Sequence, residues 1–523
     1  MQVHKNPFVR NVSGLVKELS WFDVFIISIA APAASGILFY SVNTQANYPG
    51  GSVGVAFLIG MLLFLPVIYL VGLLSTAMPR AGSLYVAISR IVGQNIAYIA
   101  AMLFVVGQSM IAGVLGGIIM SILSGIFVAS GNLLGSSMLL DIGASFTNTG
   151  GKLIGGIIWV LLFWVITLKG MRPFKKVMRF FFITPFVATF IIVILFLFTS
   201  KTAAMDYFNL SWGANAFQSI LDIAKNNLWT MPDFSWSATI GVFLVVIWAY
   251  NGIEMASYAG GEVQNPNKSL LKGYMWGWLT VGLIYIVLAF VVFKPFGDFI
   301  SAYDFVIKNH SDSLSQIMIP VDPSIPFYVM SIAPFKWLGI LISFCIVLWF
   351  ANSIPPIFLS TSRTIFALAM DRSVPEQFAN YNQVNGAPTV ATHLSAILAI
   401  LGVFFYTFDI SVVMGTLLFC TFFIFWLYGF AAILLPYRRP EIYKQLPNQN
   451  KILGFPVISI VGLYTFFFGW FVLFFTVREI SYYVAFALAI LITLIIIMYL
   501  FQQRKNAKEG VNQDVVYSQL PPE

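Results

Sequence analysis

Charge is what this sequence has least of. Only 9% of its 523 residues are Asp, Glu, Lys or Arg, against roughly 25% in a soluble domain. With 59% hydrophobic residues, a water-soluble fold has too little polar surface to cover its apolar side chains, and that class is excluded. Cysteine is nearly absent. Cys345 and Cys420 both lie inside apolar runs, where a free thiol behaves as a small hydrophobe; neither a disulfide framework nor a metal site follows. The three histidines, His4, His310 and His393, fall in a leading segment, a loop and a helix start, an arrangement that offers no proton relay. There is no HExxH, no P-loop and no paired-aspartate motif, so membrane-enzyme chemistry lacks its clustered residues. A channel filter or repeated ring of charges is missing as well.

What is there is a series of apolar stretches, each long enough to cross a hydrocarbon core of roughly 30 Å as a helix. They cover about 21–40, 52–77, 94–130, 153–168, 180–199, 238–259, 273–293, 337–362, 390–407, 411–435, 455–477 and 481–501. About twelve transmembrane helices are therefore expected, in an all-α integral membrane fold. Placing the N-terminal segment inside puts 21 of the 28 Lys and Arg residues on the cytoplasmic side, as the positive-inside rule requires. The net charge of +8 is then a matter of topology, not of nucleic-acid binding, and both termini are expected in the cytoplasm of a multi-pass plasma-membrane protein. Ala31-Pro32-Ala33 imitates a leader cleavage site, but the segment before it is read as uncleaved.

The chain divides into a cytoplasmic segment (1–20), a first five-helix repeat (21–199), an extracellular connection (200–237), a second five-helix repeat (238–436), two further helices (437–501) and a polar tail (502–523). The two outer connections, 200–237 and 294–336, carry aromatic residues suited to short surface helices over an outer vestibule. The tail composition reads as disordered.

Two spans carry breaks. The first reads ISIAAPAASGILFY from Ile27 to Tyr40, with Pro32, Ala33, Ala34, Ser35 and Gly36 at mid-membrane. Proline removes a backbone donor, and small residues let the chain unwind and approach a ligand. The sixth reads FLVVIWAYNGIEMASYAG from Phe243 to Gly260, with the turn-forming pair Asn251-Gly252 in an apolar run. Unwound backbone is tolerated in a bilayer where it lines a cavity or is buried in protein. Its free N–H and C=O groups suit a zwitterion. Breaks five helices apart match inverted repeats.

Further motifs carry a resemblance. They are MPRAGSLY (Met78 to Tyr85), Gly252-Ile253-Glu254 with Gly261-Glu262-Val263-Gln264-Asn265-Pro266, and SRTIFALAMDRSVP (Ser362 to Pro375), joined by Gly386-Ala387-Pro388 and by Pro436 to Glu441. Over about residues 15–480 the chain resembles the amino acid, polyamine and organocation transporter superfamily. The resemblance implies a LeuT-type five-plus-five inverted repeat with broken helices 1 and 6, two extra C-terminal helices, and alternating access without ATP. It also implies that the backbone amides of Ser35, Gly36 and Ile37 bind a substrate carboxylate. The carbonyls of Pro32, Trp248 and Asn251 would hold the amine, with Trp248 as an aromatic lid. The chain departs from the family pattern at Ala34-Ser35-Gly36, where relatives have Gly-x-Gly.

Glu254 is an acid well inside a span, expensive there unless protonated, paired or functional, and is assigned a gating or proton-linked role; bonding to an unwound first helix is the structural alternative. Gln108 in the third span is a candidate pocket residue or an interhelical hydrogen-bonding group. Ala33, Asn352 and Ser353 form a candidate cation site on the pattern of sodium-coupled relatives, leaving H+ or Na+ as the coupling ion and no cofactor or metal. Arg80, Arg90, Arg363 and Asp371 read as loop charges and helix caps, with an Arg363–Glu262 inner-gate pair as the sharper alternative. The expected partner is a small amino acid or amine and membrane lipid; oligomeric state is open. A polyamine or cationic amino acid transporter, and a sensor that binds without transporting, share these features.

Overall fold

The computed structural model describes residues 8–10, 12–37, 41–408, 412–478 and 482–522; His4 and Lys5 lie outside them, as do residues 38–40 at the end of the first predicted span. Helix dominates. A two-residue β-pair, Lys451–Ile452 against Phe455–Pro456, is the one named sheet among the described residues. Among the described residues ten helices are long and apolar enough to cross a membrane: Val53–Ala77, Gln94–Leu134, Thr149–Leu168, Met171–Phe198, Trp236–Tyr258, Pro266–Phe296, Lys336–Met370, Thr389–Thr407, Val457–Phe475 and Tyr482–Lys508. They fall on ten of the expected spans, in order. The first and tenth expected spans coincide with shorter apolar helices, Trp21–Ala33 and Phe422–Arg438.

The third span is central, packing against the fourth, eighth, ninth and tenth, while the seventh lies against the first and second. Close approach depends on small residues, as expected where lipid supplies no hydrophobic drive between helices. A Cβ on Gly113 would meet the Ala399 carbonyl at 1.8 Å, and one on Gly402 the Met110 carbonyl at 2.0 Å.

The sixth span breaks where expected. An α-helix runs from Trp236 to Val246 and tightens to 3-10 turns over Ile247–Tyr250. Asn251 is extended (φ −73°, ψ 140°), Gly252 is left-handed at φ +102°, and Ile253–Tyr258 continues as 3-10 helix. So long a 3-10 stretch is uncommon and marks strain or a hinge.

In the first span the α-helix Trp21–Ser35 runs through Pro32 and ends with Gly36 as its C-cap, at right-handed dihedrals (−67°, −39°) and with its N–H donating to the Ala33 carbonyl. Helical backbone continues through Ile37, beyond which residues 38–40 lie outside the described ones. The donor that Pro32 removes is the one for the Ser28 carbonyl, four residues before it. The Ser353 hydroxyl from the eighth span reaches the Ala30 and Ala31 carbonyls at 2.8 and 3.3 Å and ties the first span to the eighth.

The eighth span is longer than expected, Lys336–Met370, and carries Arg363 into the protein interior. The outer connections fold into helices, Lys201–Trp212 and Ala216–Asn226 in one, Phe299–Asn309, Ser311–Leu314 and Ile325–Ile332 in the other. Phe208, Phe217, Phe299, Tyr303 and Phe327 are buried among them. Asp304 is buried there with Lys308 at 2.7 Å, and burial pushes its carboxyl up to about 6 in spite of that lysine. The folded state thus holds the Asp304 proton more tightly than the unfolded chain, whose aspartate titrates near 3.8. This stabilisation is complete below the lower value and is lost as pH rises through the upper one. Hydrogen exchange over 299–309, corrected for intrinsic rate, is expected to show weaker protection at neutral pH than in mild acid, and Asp304→Asn to flatten the difference. Equal protection across that window in the native protein would contradict it.

The tail is also corrected. The last span extends to Lys508, and after a turn at Gly510 a second helix, Gln513–Ser518, is docked with Val516 and Tyr517 buried.

Candidate functional site

The first and sixth spans meet where both are narrowest. At φ +102° Gly252 adopts a backbone that other residues rarely tolerate, and a Cβ there would lie 2.5 Å from the Ala31 Cβ. The Glu254 carboxyl turns back on this break: one oxygen accepts from the Gly252 N–H at 3.1 Å, and the other has no hydrogen-bond partner among the described residues. The carboxyl therefore caps the unwound stretch of its own span. Among the described residues it has no hydrogen bond to the first helix.

Tyr285, in the seventh span, closes the junction from the other side. Its hydroxyl lies 2.5 Å from the Pro32 carbonyl and 2.8 Å from the Ala249 carbonyl. One hydroxyl hydrogen joins the two broken-span carbonyls. Its ring packs on Phe57 and Tyr250, at centroid distances of 4.8 and 5.4 Å. It also fills the space over Gly36, where a Cβ would be 2.4 Å from the ring. Gly36 is small here because a tyrosine lies on it, not because its dihedrals need glycine.

The predicted backbone ligands are therefore largely engaged. The Pro32 carbonyl faces Tyr285, the Trp248 carbonyl accepts from the Asn251 N–H at 3.1 Å, and the Gly36 amide is taken by Ala33. The Ser35 side chain lies outside the described ones. Ile37 is fully buried. Trp248 is half-buried and meets Phe422 of the tenth span edge-on at 4.5 Å, an aromatic pair over the break. Gln108 is buried in the third span, one turn beyond Phe104, which stacks on Tyr258 at 4.6 Å.

Of the candidate cation residues, Ser353 does lie against the first span, but beside the Ala30 and Ala31 carbonyls; the Ala33 carbonyl is occupied by Gly36. Asn352 is fully buried, and neither of its amide atoms has a partner among the described residues. The same holds for Asn251 Oδ1 and for the Tyr258 hydroxyl, while the Tyr274 hydroxyl is within hydrogen-bonding reach of Ser257 and Ser75, and that of Tyr428 of Ser75 and Ser83. Glu254 is within electrostatic reach of Tyr258 and Tyr274, and those two of Tyr428. A buried polar group without a partner costs about 1–3 kcal/mol, so the partnerless atoms of Glu254, Asn251, Asn352 and Tyr258 are costly unless a polar solute completes them.

Two buried ion pairs lie toward the chain ends of this region. Glu262 and Arg363, each 2% exposed, form a bidentate pair at 2.7 and 3.1 Å. The Glu262 carbonyl accepts from the N–H groups of Glu18 and Leu19, both at 2.9 Å. The Gly82 N–H donates to the Tyr258 carbonyl at 2.9 Å. Arg90 forms a second buried bidentate pair with Asp371. These residues are interior, not the loop charges and caps of the blander reading.

With this geometry in hand, the family can be settled. The model described as "Amino acid permease" matches residues 19–498. The chain belongs to the amino acid permease family. Among its relatives in Bacillus subtilis (strain 168), the amino-acid permease AapA is 24% identical over 294 residues, 54% of this chain and 58% of that protein. The uncharacterized transporter YdgF is 25% identical over 258 residues, 48% of each chain. The branched-chain amino acid permease BcaP is 22% identical over 461 residues, 85% of each. The chain thus spans only 58% and 48% of AapA and YdgF.

Within this permease, sequence reasoning missed Tyr285 and the Tyr258, Tyr274 and Tyr428 hydroxyls. A tyrosine in an apolar run carries no local mark. The one available signal was the pairing of a carbonyl-exposing proline in the first span with a small residue, Gly36, one turn on.

Proposed function

We propose that this permease is a secondary active transporter of amino acids or closely related amines, working by alternating access at the junction of the first and sixth spans. The observation that carries the reading is the contact of the left-handed Gly252 with Ala31 beside the partnerless oxygen of Glu254. Unwound backbone and buried polar groups meet there at mid-membrane depth, as in transporters built on discontinuous helices. The twelve-span, five-plus-five arrangement, with the repeats at 21–199 and 238–436 and both termini in the cytoplasm of a plasma-membrane protein, is part of the same proposal. No cofactor is invoked.

Substrates with neutral or apolar side chains are favoured, because Trp248, Phe422, Ile37 and Tyr250 border the junction and Glu254 is the charge beside it. The naming of BcaP as a branched-chain amino acid permease supports this. The second, unpartnered oxygen of Glu254 favours one alternative, a polyamine or cationic substrate, for which that carboxyl is the acidic partner. Glu254 is also the residue for proton coupling, and Ser353 with the Ala30 and Ala31 carbonyls for sodium coupling. The substrate ammonium is expected to replace the Tyr285 hydroxyl at the Pro32 and Ala249 carbonyls.

A thermal-shift screen of the purified protein against amino acids and polyamines, with and without sodium and at two pH values, separates these. Stabilisation by neutral amino acids and not by polyamines is expected; stabilisation by polyamines alone overturns the substrate class. Tyr285→Phe keeps the ring and removes the competitor for the two carbonyls. It is expected to lower the apparent KM several-fold, with a small loss of ligand-free stability on the order of 1 kcal/mol. An unchanged KM together with unchanged stability would dismiss the hydroxyl from the site.

A further inference from the structure

The segment after the last span is held by backbone contacts, residue after residue. Arg439 donates to the Tyr517 carbonyl at 2.7 Å and to the Ser518 carbonyl at 3.2 Å. Arg90 Nε donates to the Gln519 carbonyl at 3.0 Å, and Arg80 Nε to the Pro521 carbonyl at 2.8 Å. Three guanidinium groups thus hold four carbonyls of a five-residue stretch. Such charge-assisted bonds are stronger than neutral ones.

Tyr517 is the anchor. Its hydroxyl lies 2.5 Å from the Ser373 hydroxyl and 3.2 Å from that of Tyr85, and the Tyr85 hydroxyl donates to Asp371 at 2.8 Å. The Arg90 guanidinium lies over the Tyr517 ring, 5.1 Å from its centroid, in cation–π contact. Beyond it, Pro521 and Pro522 line a cleft with Leu15, Arg80, Gly261, Phe366 and Met370. The base of the segment is tied to the same place: Gln502 and Asn506 of the last span donate to the Arg372 carbonyl at 3.3 and 2.7 Å.

These contacts do not belong to one side of the inner gate. Arg80, Tyr85 and Arg90 lie in the first proposed repeat and Gly261, Phe366 and Met370 in the second, with Ser373 just beyond the eighth span and Arg439 beyond the tenth. Glu262 directly follows Gly261, and Arg363 lies three residues, about one helical turn, before Phe366. We propose that residues 509–522 are an intracellular strap that bridges the two repeats over the inner gate and biases the protein toward its inward-closed state. The proposal rests on the alternating-access reading for its consequence in transport, but not for the docking itself. Opening inward separates surfaces that the strap joins, so its contacts favour one state only, which is what a shift of population requires.

The test uses the full-length protein in proteoliposomes, carrying Cys345→Ala, Cys420→Ala and Ser257→Cys. Ser257 is fully buried on the cytoplasmic side of the Asn251-Gly252 break, so its labelling by an impermeant maleimide supplied on the cytoplasmic face reports inward opening. Deleting 509–523 is expected to raise the labelling rate several-fold, and Tyr517→Ala to do nearly the same. Tyr517→Phe, which keeps the ring and the backbone bonds, is expected to stay close to the undeleted protein. A synthetic peptide of residues 509–522 added to the cytoplasmic face of the deleted protein is expected to restore slow labelling. Equal rates with and without the segment, or no effect of the peptide on a deleted protein that labels faster, would overturn the strap. Initial uptake is measured in parallel. Faster labelling without faster uptake counts against the transport reading and leaves the strap standing.

Discussion

Gly36→Val is expected to reduce initial uptake at least about tenfold at equal surface expression, which corresponds to ~1.4 kcal/mol of lost transition-state stabilisation. The dihedrals at Gly36 suit any residue (−67°, −39°), so the effect is purely one of space. The new Cβ lies 2.4 Å from the Tyr285 ring, which is itself wedged against Phe57 and Tyr250. The displaced ring pushes into the junction between the first and sixth spans, a steric effect that loss of the hydroxyl alone does not produce. Gly252→Ala at the facing position adds backbone strain of order 1–3 kcal/mol to a 2.5 Å clash with Ala31, and is expected to lower thermal stability as well as uptake. Gly36→Val with normal uptake of its substrate would remove Tyr285 and the first-span junction from the transport path.

The second large effect is at the buried Glu262–Arg363 pair. Removing one member of a buried ion pair leaves the other uncompensated and typically costs about 3–5 kcal/mol. Arg363→Ala and Glu262→Ala are each expected to lower the unfolding midpoint markedly and to abolish uptake. Exchanging the pair, Glu262→Arg with Arg363→Glu, is expected to recover part of both, because charge compensation survives even where the hydrogen-bond geometry is imperfect. A swapped protein no better than either single variant would mean that the pair is not what joins the sixth and eighth spans.

The sixth break was legible because its cause is local: Asn251-Gly252 states a turn in an apolar run, and Glu254 supplies an acid two residues on to cap it. The first was harder to place because Pro32 has the same local meaning whether or not the helix unwinds, and the α-helix runs on to Ser35. The groups that meet its carbonyls come from more than 250 residues away in sequence, Ser353 at Ala30 and Tyr285 at Pro32. The tail was misread for a related reason. Its composition is that of a disordered segment, but its backbone carbonyls are met by Arg80, Arg90 and Arg439, residues that a linear reading assigned to topology. Arg363 looked like a loop charge because the eighth span was ended at residue 362; the helix runs eight residues further and carries the guanidinium inside. Apolar periodicity marks where helices cross a membrane, but not where a polar residue at the end of a run turns inward to a partner.

The most direct test is counterflow of labelled amino acid into proteoliposomes preloaded with the same unlabelled compound, run across a panel of neutral, cationic and acidic amino acids and polyamines. Transient accumulation of at least one neutral amino acid by the native protein, lost in Gly36→Val and Trp248→Ala, is the expected result. Ligands that raise the thermal midpoint yet never accumulate, in the native protein and in both variants alike, would contradict transport at this junction and identify a sensor instead.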